Sequence, residues 1–173
     1  HKVKVAGMMD ELSEDVRLMG AVNVITFGPG GRMTGHNTDG AGWLRSLREE
    51  TGADPRGMRC LVLGAGGAAR AIAVKLAQGG AAHIEIRNRT PEKATDLARH
   101  IEANVSGAQA AGGPIEGLAA AAEGCDLIVN TSSLGMAGDP VRENTSPIPE
   151  AAIPADCICT DAVYNPIETT FLK

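Results

Sequence analysis

CLVLGAGGAARAIAVKLAQGG, residues 60–80, joins an apolar run to a glycine turn and an Ala-rich segment closed by Gly79-Gly80. The apolar run has no alternation, as in a strand buried on both faces, and the Ala-rich segment suits a helix. Between them, Gly64-Ala65-Gly66-Gly67-Ala68-Ala69 fits the pattern G-x-G-x-x-A. A side chain at Gly64 would block the tight turn, and one at Gly66 would block an approaching diphosphate. The small Ala69 lets the helix pack close to the strand. Exposed backbone N–H groups and the positive end of the helix then suit phosphate. A purely structural glycine turn is the alternative; the strand–turn–helix context favours dinucleotide binding.

Downstream the alternation continues. HIEIRNRT (83–90) is a second short strand, and PEKATDLARHIEANV (91–105) a second helix with Pro91 at a permitted first-turn position. GAQAAGGPIEGLAAAAEG (107–124) is low in complexity and reads as a weak strand and a short helix, while CDLIVNTS and CICTDAVY are two further apolar strands. Strands alternating with helices predict an α/β fold, a doubly wound parallel sheet of Rossmann type. The end of the second strand is where such folds read the ribose. An acid there would take a free 2′-hydroxyl, but this chain offers Arg87-Asn88-Arg89-Thr90, with Lys93 one turn into the helix and Glu85 back inside the strand. Guanidinium and hydroxyl groups complement a 2′-phosphate that a carboxylate would repel, so the cofactor expected is NADP. An exposed basic turn capping a helix is the alternative.

Upstream, residues 4–12 have spacing compatible with a short helix, in which Met8-Met9 would pack into a core. Ser13 followed by Glu14 and Asp15 starts another, a hydroxyl at the cap and acids in the first turn. AVNVITF (21–27), the turn Gly28-Pro29-Gly30-Gly31 and RMTGHNT (32–38) form a hairpin signature. Thr38 or Asp39 then caps a helix through Trp43, Leu44 and Leu47 towards Glu50, and a Pro/Gly connector at 52–57 follows. Residues 1–40 alone would leave an unpaired sheet edge and an exposed apolar face.

With 173 residues and a net charge of −5, the chain suits one domain or one domain plus part of another. No Lys/Arg cluster is dense enough for nucleic acid, and no apolar run approaches the roughly 20 residues of a membrane span. With no signal-peptide pattern, the expected setting is cytoplasmic. Cys60, Cys125, Cys157 and Cys159 lack metal-site spacing and read as buried reduced thiols. No metal site is expected. The chain opens at His1-Lys2 without Met and closes at Phe171-Leu172-Lys173, which reads as an excised piece.

The fragments HK, GAVN, GHNTDG, GAGGAARA, NRT, NTSSLGM and DAVYNP occur in that order along the whole chain. Together they resemble the shikimate dehydrogenase family, which includes quinate-using enzymes. The resemblance implies an NADP-binding Rossmann-like domain at 41–165, part of an α/β substrate-binding domain at 1–40, and the return towards that domain at 166–173. It implies that Lys2, closing a motif of which only His1-Lys2 remains, and Asp39 form the catalytic pair. Asn23 and Asp39, with Lys2 and Tyr164, would face substrate, and Asn23 sits in a β-rich run where Asn is disfavoured. Cofactor contacts would fall on Gly64 to Ala69, on Asn88, Arg89, Thr90 and Lys93, and on Asn130, Thr131, Ser132 and Val163. His36 is read as a supporting or surface residue rather than a base. The family's N-terminal and C-terminal substrate-domain segments are missing, so little turnover is expected of the piece alone. The activity implied is reduction of 3-dehydroshikimate to shikimate by a monomer or homodimer. The alternatives are a quinate or quinate/shikimate dehydrogenase, and a nucleotide-binding module without catalysis.

Overall fold

The computed structural model describes residues 2–173, and His1 of the His-Lys pair lies outside the described residues. The chain begins with α1 (Lys2–Ala6), β1 (Glu11–Leu12) and α2 (Glu14–Met19). The helix expected over 4–12 is thus cut short at Ala6, because the chain turns at Gly7 to bring Asp10 N onto Met33 O at 3.0 Å and β1 alongside the later strand. That turn leaves Met8 68% exposed, so it is not core; Met9 is half-buried. Ser13 caps α2 as expected, its Oγ accepting from Val16 N, and Gly20 ends the helix at φ 65°.

The hairpin forms as read: β2 (Val24–Phe27) runs antiparallel to β3 (Met33–His36) around a 3-10 turn at Pro29–Gly31. β3 lies between β1 and β2, so β2 is an edge strand, and Val24, Ile25 and Phe27 are exposed along it. Next comes α3 (Asp39–Thr51), with Thr38 at the cap making no side-chain cap bond and Asp39 the first helical residue. Gly40 presses α3 onto the following helix: a β-carbon there would fall 2.6 Å from Ala71 O.

The larger sheet contains β4 (Arg59–Leu63), β5 (His83–Asn88), β6 (Ala110–Pro114), β7 (Leu127–Asn130) and β8 (Ile158–Asp161), with α4 (Gly67–Gln78), α5 (Pro91–Asn104), α6 (Leu118–Ala122) and α7 (Pro140–Glu143) between them. Its order is β6-β5-β4-β7-β8 and every pairing is parallel. That is the doubly wound Rossmann arrangement, with a switch point where the order reverses between β4 and β7. Alternate residues of β4 feed opposite cores. Cys60 and Val62 pack with α4 and α5, whereas Leu61 and Leu63 pack with Leu118, Ile148 and Phe171. The weak strand at 110–114 forms because Gly112 lets α5 lie almost on it: a β-carbon there would fall 2.3 Å from the Ala94 carbonyl. No helix of the described residues is long and apolar enough to cross a membrane.

The cysteines divide. Cys60 and Cys125 are buried, as expected, but Cys157 and Cys159 are only half-buried, since β8 closes the open edge of its sheet. Burial pushes the Cys60 thiol up to about 12. The Cys157 side chain beside it holds Cys159 below the ordinary thiol range. Cys159 should therefore react first with Ellman's reagent at pH 8, and Cys60 only on unfolding; equal rates at both would contradict this packing. The Cys60 shift also sets a sign for alkaline stability. The unfolded thiol ionises from about 9, while the folded thiol keeps its proton to about 12. Its contribution is fully present below pH 9 and is lost as pH rises from 9 to 12.

Candidate active site

Three segments meet around Asp39. β2 is preceded by Asn23, whose backbone N–H donates to His36 O at 3.0 Å, so the hairpin ladder fixes its position. Its side chain then reads the start of α3. Asn23 Oδ1 accepts from Thr38 N at 3.0 Å, and its Nδ2 donates to Asp39 Oδ1 at 2.7 Å and Thr38 Oγ1 at 3.1 Å. The other Asp39 oxygen takes the Lys2 ammonium in a short ion pair. Lys2 is anchored through its carbonyl, which accepts from Val22 N at 3.0 Å. Asn37, buried, braces the turn by donating to Ala21 O at 2.9 Å and accepting from Asp39 N at 3.0 Å. No reading of the sequence singled out Asn37; the signal available was its place inside GHNTDG. His36 Nε2 pairs with Thr26 Oγ1 across the hairpin at 3.0 Å.

The Lys2–Asp39 pair adjoins the glycine turn. The Lys2 side-chain carbons lie 3.5 and 3.6 Å from where a Gly67 β-carbon would stand. At Gly64, φ is +120° and a β-carbon would strike Thr131 Oγ1 at 2.5 Å, so only glycine fits. At Gly66 nothing lies within 4 Å: the space before it is open, as a bound diphosphate requires. Ala69 is fully buried in α4.

A cavity of ≈290 Å³ opens at the carboxyl ends of β4, β5 and β7, at the switch point. Its walls include Gly64 to Gly66, Asn88, Arg89, Thr131 and Ser132 of the expected set, and also Arg87, Ile115, Leu134 and Arg142. Thr131 Oγ1 donates to Leu63 O at 2.8 Å, clamping the β7 loop beside the turn. Arg87 is partly engaged, its Nε 2.8 Å from Glu85 Oε1 without hydrogen-bond alignment and its Nη1 donating to Pro114 O at 3.3 Å. Arg89, Thr90 and Lys93 are exposed, Thr90 and Lys93 outside the lining of the cavity, and Asn88 Nδ2 holds Thr90 O at 2.9 Å.

Other expected residues stand differently. Asn130 is fully buried and its side chain is engaged within the protein. Nδ2 donates to Asp161 Oδ1 at 2.9 Å and Leu134 O at 3.1 Å, while Oδ1 accepts from Ser132 N and Oγ. It shapes the loop rather than walling the cavity. Asp161, not singled out from sequence, is the partner hub: it also accepts from Val163 N at 2.8 Å and from buried Thr169 at 2.7 Å. Val163 is buried behind it, and Tyr164 is 88% exposed beside a smaller cavity with Met136 and Asn165. Among the described residues no group of His, Cys, Asp and Glu is placed to hold a metal ion.

Comparison with known proteins adds the relationship. The family model for shikimate / quinate 5-dehydrogenase matches residues 46–136. The chain belongs to the shikimate / quinate 5-dehydrogenase family. It is 42% identical over 174 residues to the shikimate dehydrogenase (NADP(+)) of Rubrobacter xylanophilus, covering 99% of this chain and 58% of that protein. A crystal structure of a shikimate dehydrogenase in complex with NADP+ matches with a TM-score of 0.84 and 33% identity, over 99% of this chain and 58% of that one. The ligand-free 5-ketofructose reductase of Gluconobacter sp. strain CHM43 matches with a TM-score of 0.79 and 38% identity, over 99% and 60%. The chain thus spans under two thirds of the length of these relatives. The dehydrogenase fold read from the glycine turn and the family's dispersed motifs agree.

Proposed function

We propose that this chain is the NADP-binding part, with a portion of the substrate site, of a dehydrogenase that interconverts 3-dehydroshikimate and shikimate. The observation that carries this reading is the Lys2–Asp39 pair set against the dinucleotide turn at Gly67. When bound, NADP supplies the ring that accepts or returns hydride. Lys2 then supplies the proton: its ammonium donates to the oxygen of the carbonyl as that carbon is reduced, and takes the proton back in oxidation. Asp39 keeps the ammonium aimed and balances its charge, and Asn23 locks the carboxylate by holding its other oxygen. Asn23 and Tyr164 would face substrate hydroxyls. Residues 1–40 would belong to the substrate unit, 41–165 to the nucleotide unit and 166–173 to the return between them. The separate three-stranded and five-stranded sheets support that division.

For the cofactor, the open cradle at Gly66 and the cationic cavity fit a phosphorylated dinucleotide. Arg89 just after β5, with the exposed Thr90 and Lys93 that follow it, would read the 2′-phosphate. Each charge-assisted hydrogen bond is worth about 1.5–3 kcal/mol. Arg89→Ala should thus cut the preference for NADPH over NADH by roughly 10- to 100-fold, as read by nucleotide titration. An unchanged ratio would remove Arg89 from that role.

The 38% identity to a ketose reductase raises a second substrate class, a ketose rather than a cyclohexene acid. Reduction of NADP followed spectroscopically, with shikimate, quinate and the reduced ketose in parallel and NAD as a further arm, separates these. Turnover with shikimate and NADP alone supports the proposal. Preference for quinate or the ketose moves the activity within the same fold. The assay uses the complete polypeptide, and nucleotide binding there without turnover in any arm would make it a binding module.

A further inference from the structure

The cavity at the switch point is walled on both flanks by arginine, and only one flank is explained by the ribose. Arg87, Arg89 and Arg142 line it, and no carboxylate does. Sheet order places β5 on one side of β4 and β7 on the other. In a doubly wound fold the diphosphate lies over the turn after the first strand, here β4, and the 2′-position is read at the end of the second, here β5. Arg87 and Arg89 therefore stand on the ribose flank. Arg142 stands on the opposite flank, on α7, which follows the β7 loop.

Arg142 is held in that position. Its carbonyl accepts from Gly135 N at 2.7 Å, tying α7 to the loop after β7. Its Nη1 donates to Ser133 Oγ at 3.3 Å, and Asp139 Oδ2 lies 3.3 Å from Nε. Asp139 also caps α7 through Val141 N and Arg142 N, so one carboxylate fixes both the helix and its arginine. These contacts engage Nη1 and Nε and leave Nη2 with no hydrogen-bond partner among the described residues, on a side chain that lines the cavity.

We propose that Arg142 is a phosphate-binding residue for the diphosphate bridge of the dinucleotide, the part that phosphorylated and unphosphorylated nicotinamide cofactors share. This rests on the dinucleotide reading of the cavity. Arg142 then sets affinity for both cofactors, while Arg89 sets the choice between them.

The test is titration of the protein with NADPH and with NADH by nucleotide fluorescence, for the native protein, Arg142→Met and Arg89→Ala, at low and high salt. Arg142→Met keeps an apolar stem of similar length and removes the charge, and thermal melting checks its fold. The expected result is about tenfold weaker binding of both nucleotides, with their ratio unchanged and a shallower salt dependence. Unchanged affinity for both would overturn the proposal, as would a loss confined to NADPH, which would move Arg142 to the ribose phosphate. Failure of the native protein to bind either nucleotide would instead overturn the dinucleotide reading itself.

Discussion

Lys2→Met lowers turnover by about 10²- to 10⁴-fold, the usual contribution of a positioned proton donor, while the affinity for NADPH stays within about twofold. Methionine keeps the carbon chain that lies against Gly67 and removes only the ammonium that Asp39 holds. Asp39→Asn gives a related but distinct result. It keeps the shape of the carboxylate and its place next to Asn23, yet leaves Lys2 without its counter-charge. Steady-state kinetics on both variants of the complete polypeptide, with NADPH binding in parallel, checks this. Near-native turnover of Lys2→Met would show that another group handles the proton, and a parallel collapse of NADPH binding would show a structural role instead.

Gly112→Ala is the second large effect, and it concerns stability. The added carbon would stand 2.3 Å from the Ala94 carbonyl carbon and oxygen and 2.5 Å from Thr95 N. These are backbone atoms of α5, so no rotamer change relieves the clash; β6 and α5 must separate. Overpacking of this kind costs about 3 kcal/mol or more. At about 2–4 °C per kcal/mol for a chain of this size, the melting temperature falls by roughly 6–12 °C. Gly42→Ala supplies the contrast. Gly42 lies in α3 with nothing within 4 Å of its added carbon, so alanine there gains up to about 1 kcal/mol of helix stability. Melting both variants tests the packing directly. An unchanged midpoint for Gly112→Ala would mean that β6 is not pressed on α5.

Much of this was legible because it is local. The strand–turn–helix at 59–78 carries its own periodicity and glycine chemistry, and the hairpin at 24–36 carries its own turn. The two-residue β1 carries no such signal, because Glu11 and Leu12 are a strand only by pairing with Thr34 and Gly35. The same non-local pairing turned the chain at Gly7 and put Met8 in solvent. Helix α7 did leave a signal, Asp139 as cap and Pro140 in the first turn, which a reading centred on apolar periodicity passed over. Family resemblance named Lys2, Asp39 and Asn23, but the bonds among them depend on three segments meeting. Asn130 shows the opposite limit: a motif position near a cofactor loop is engaged inward, by Asp161 and Ser132.

Gly40 has a mechanical consequence. With α3 in backbone contact with α4 at Ala71, the carboxylate at the first residue of α3 and the phosphate cradle at the start of α4 move as one body. Lys2 arrives on α1 and is joined to both helices, its ammonium on Asp39 and its side-chain carbons beside Gly67. The distance from carboxylate to cradle is thus set by a backbone contact between two helices rather than by the loops that lead into them.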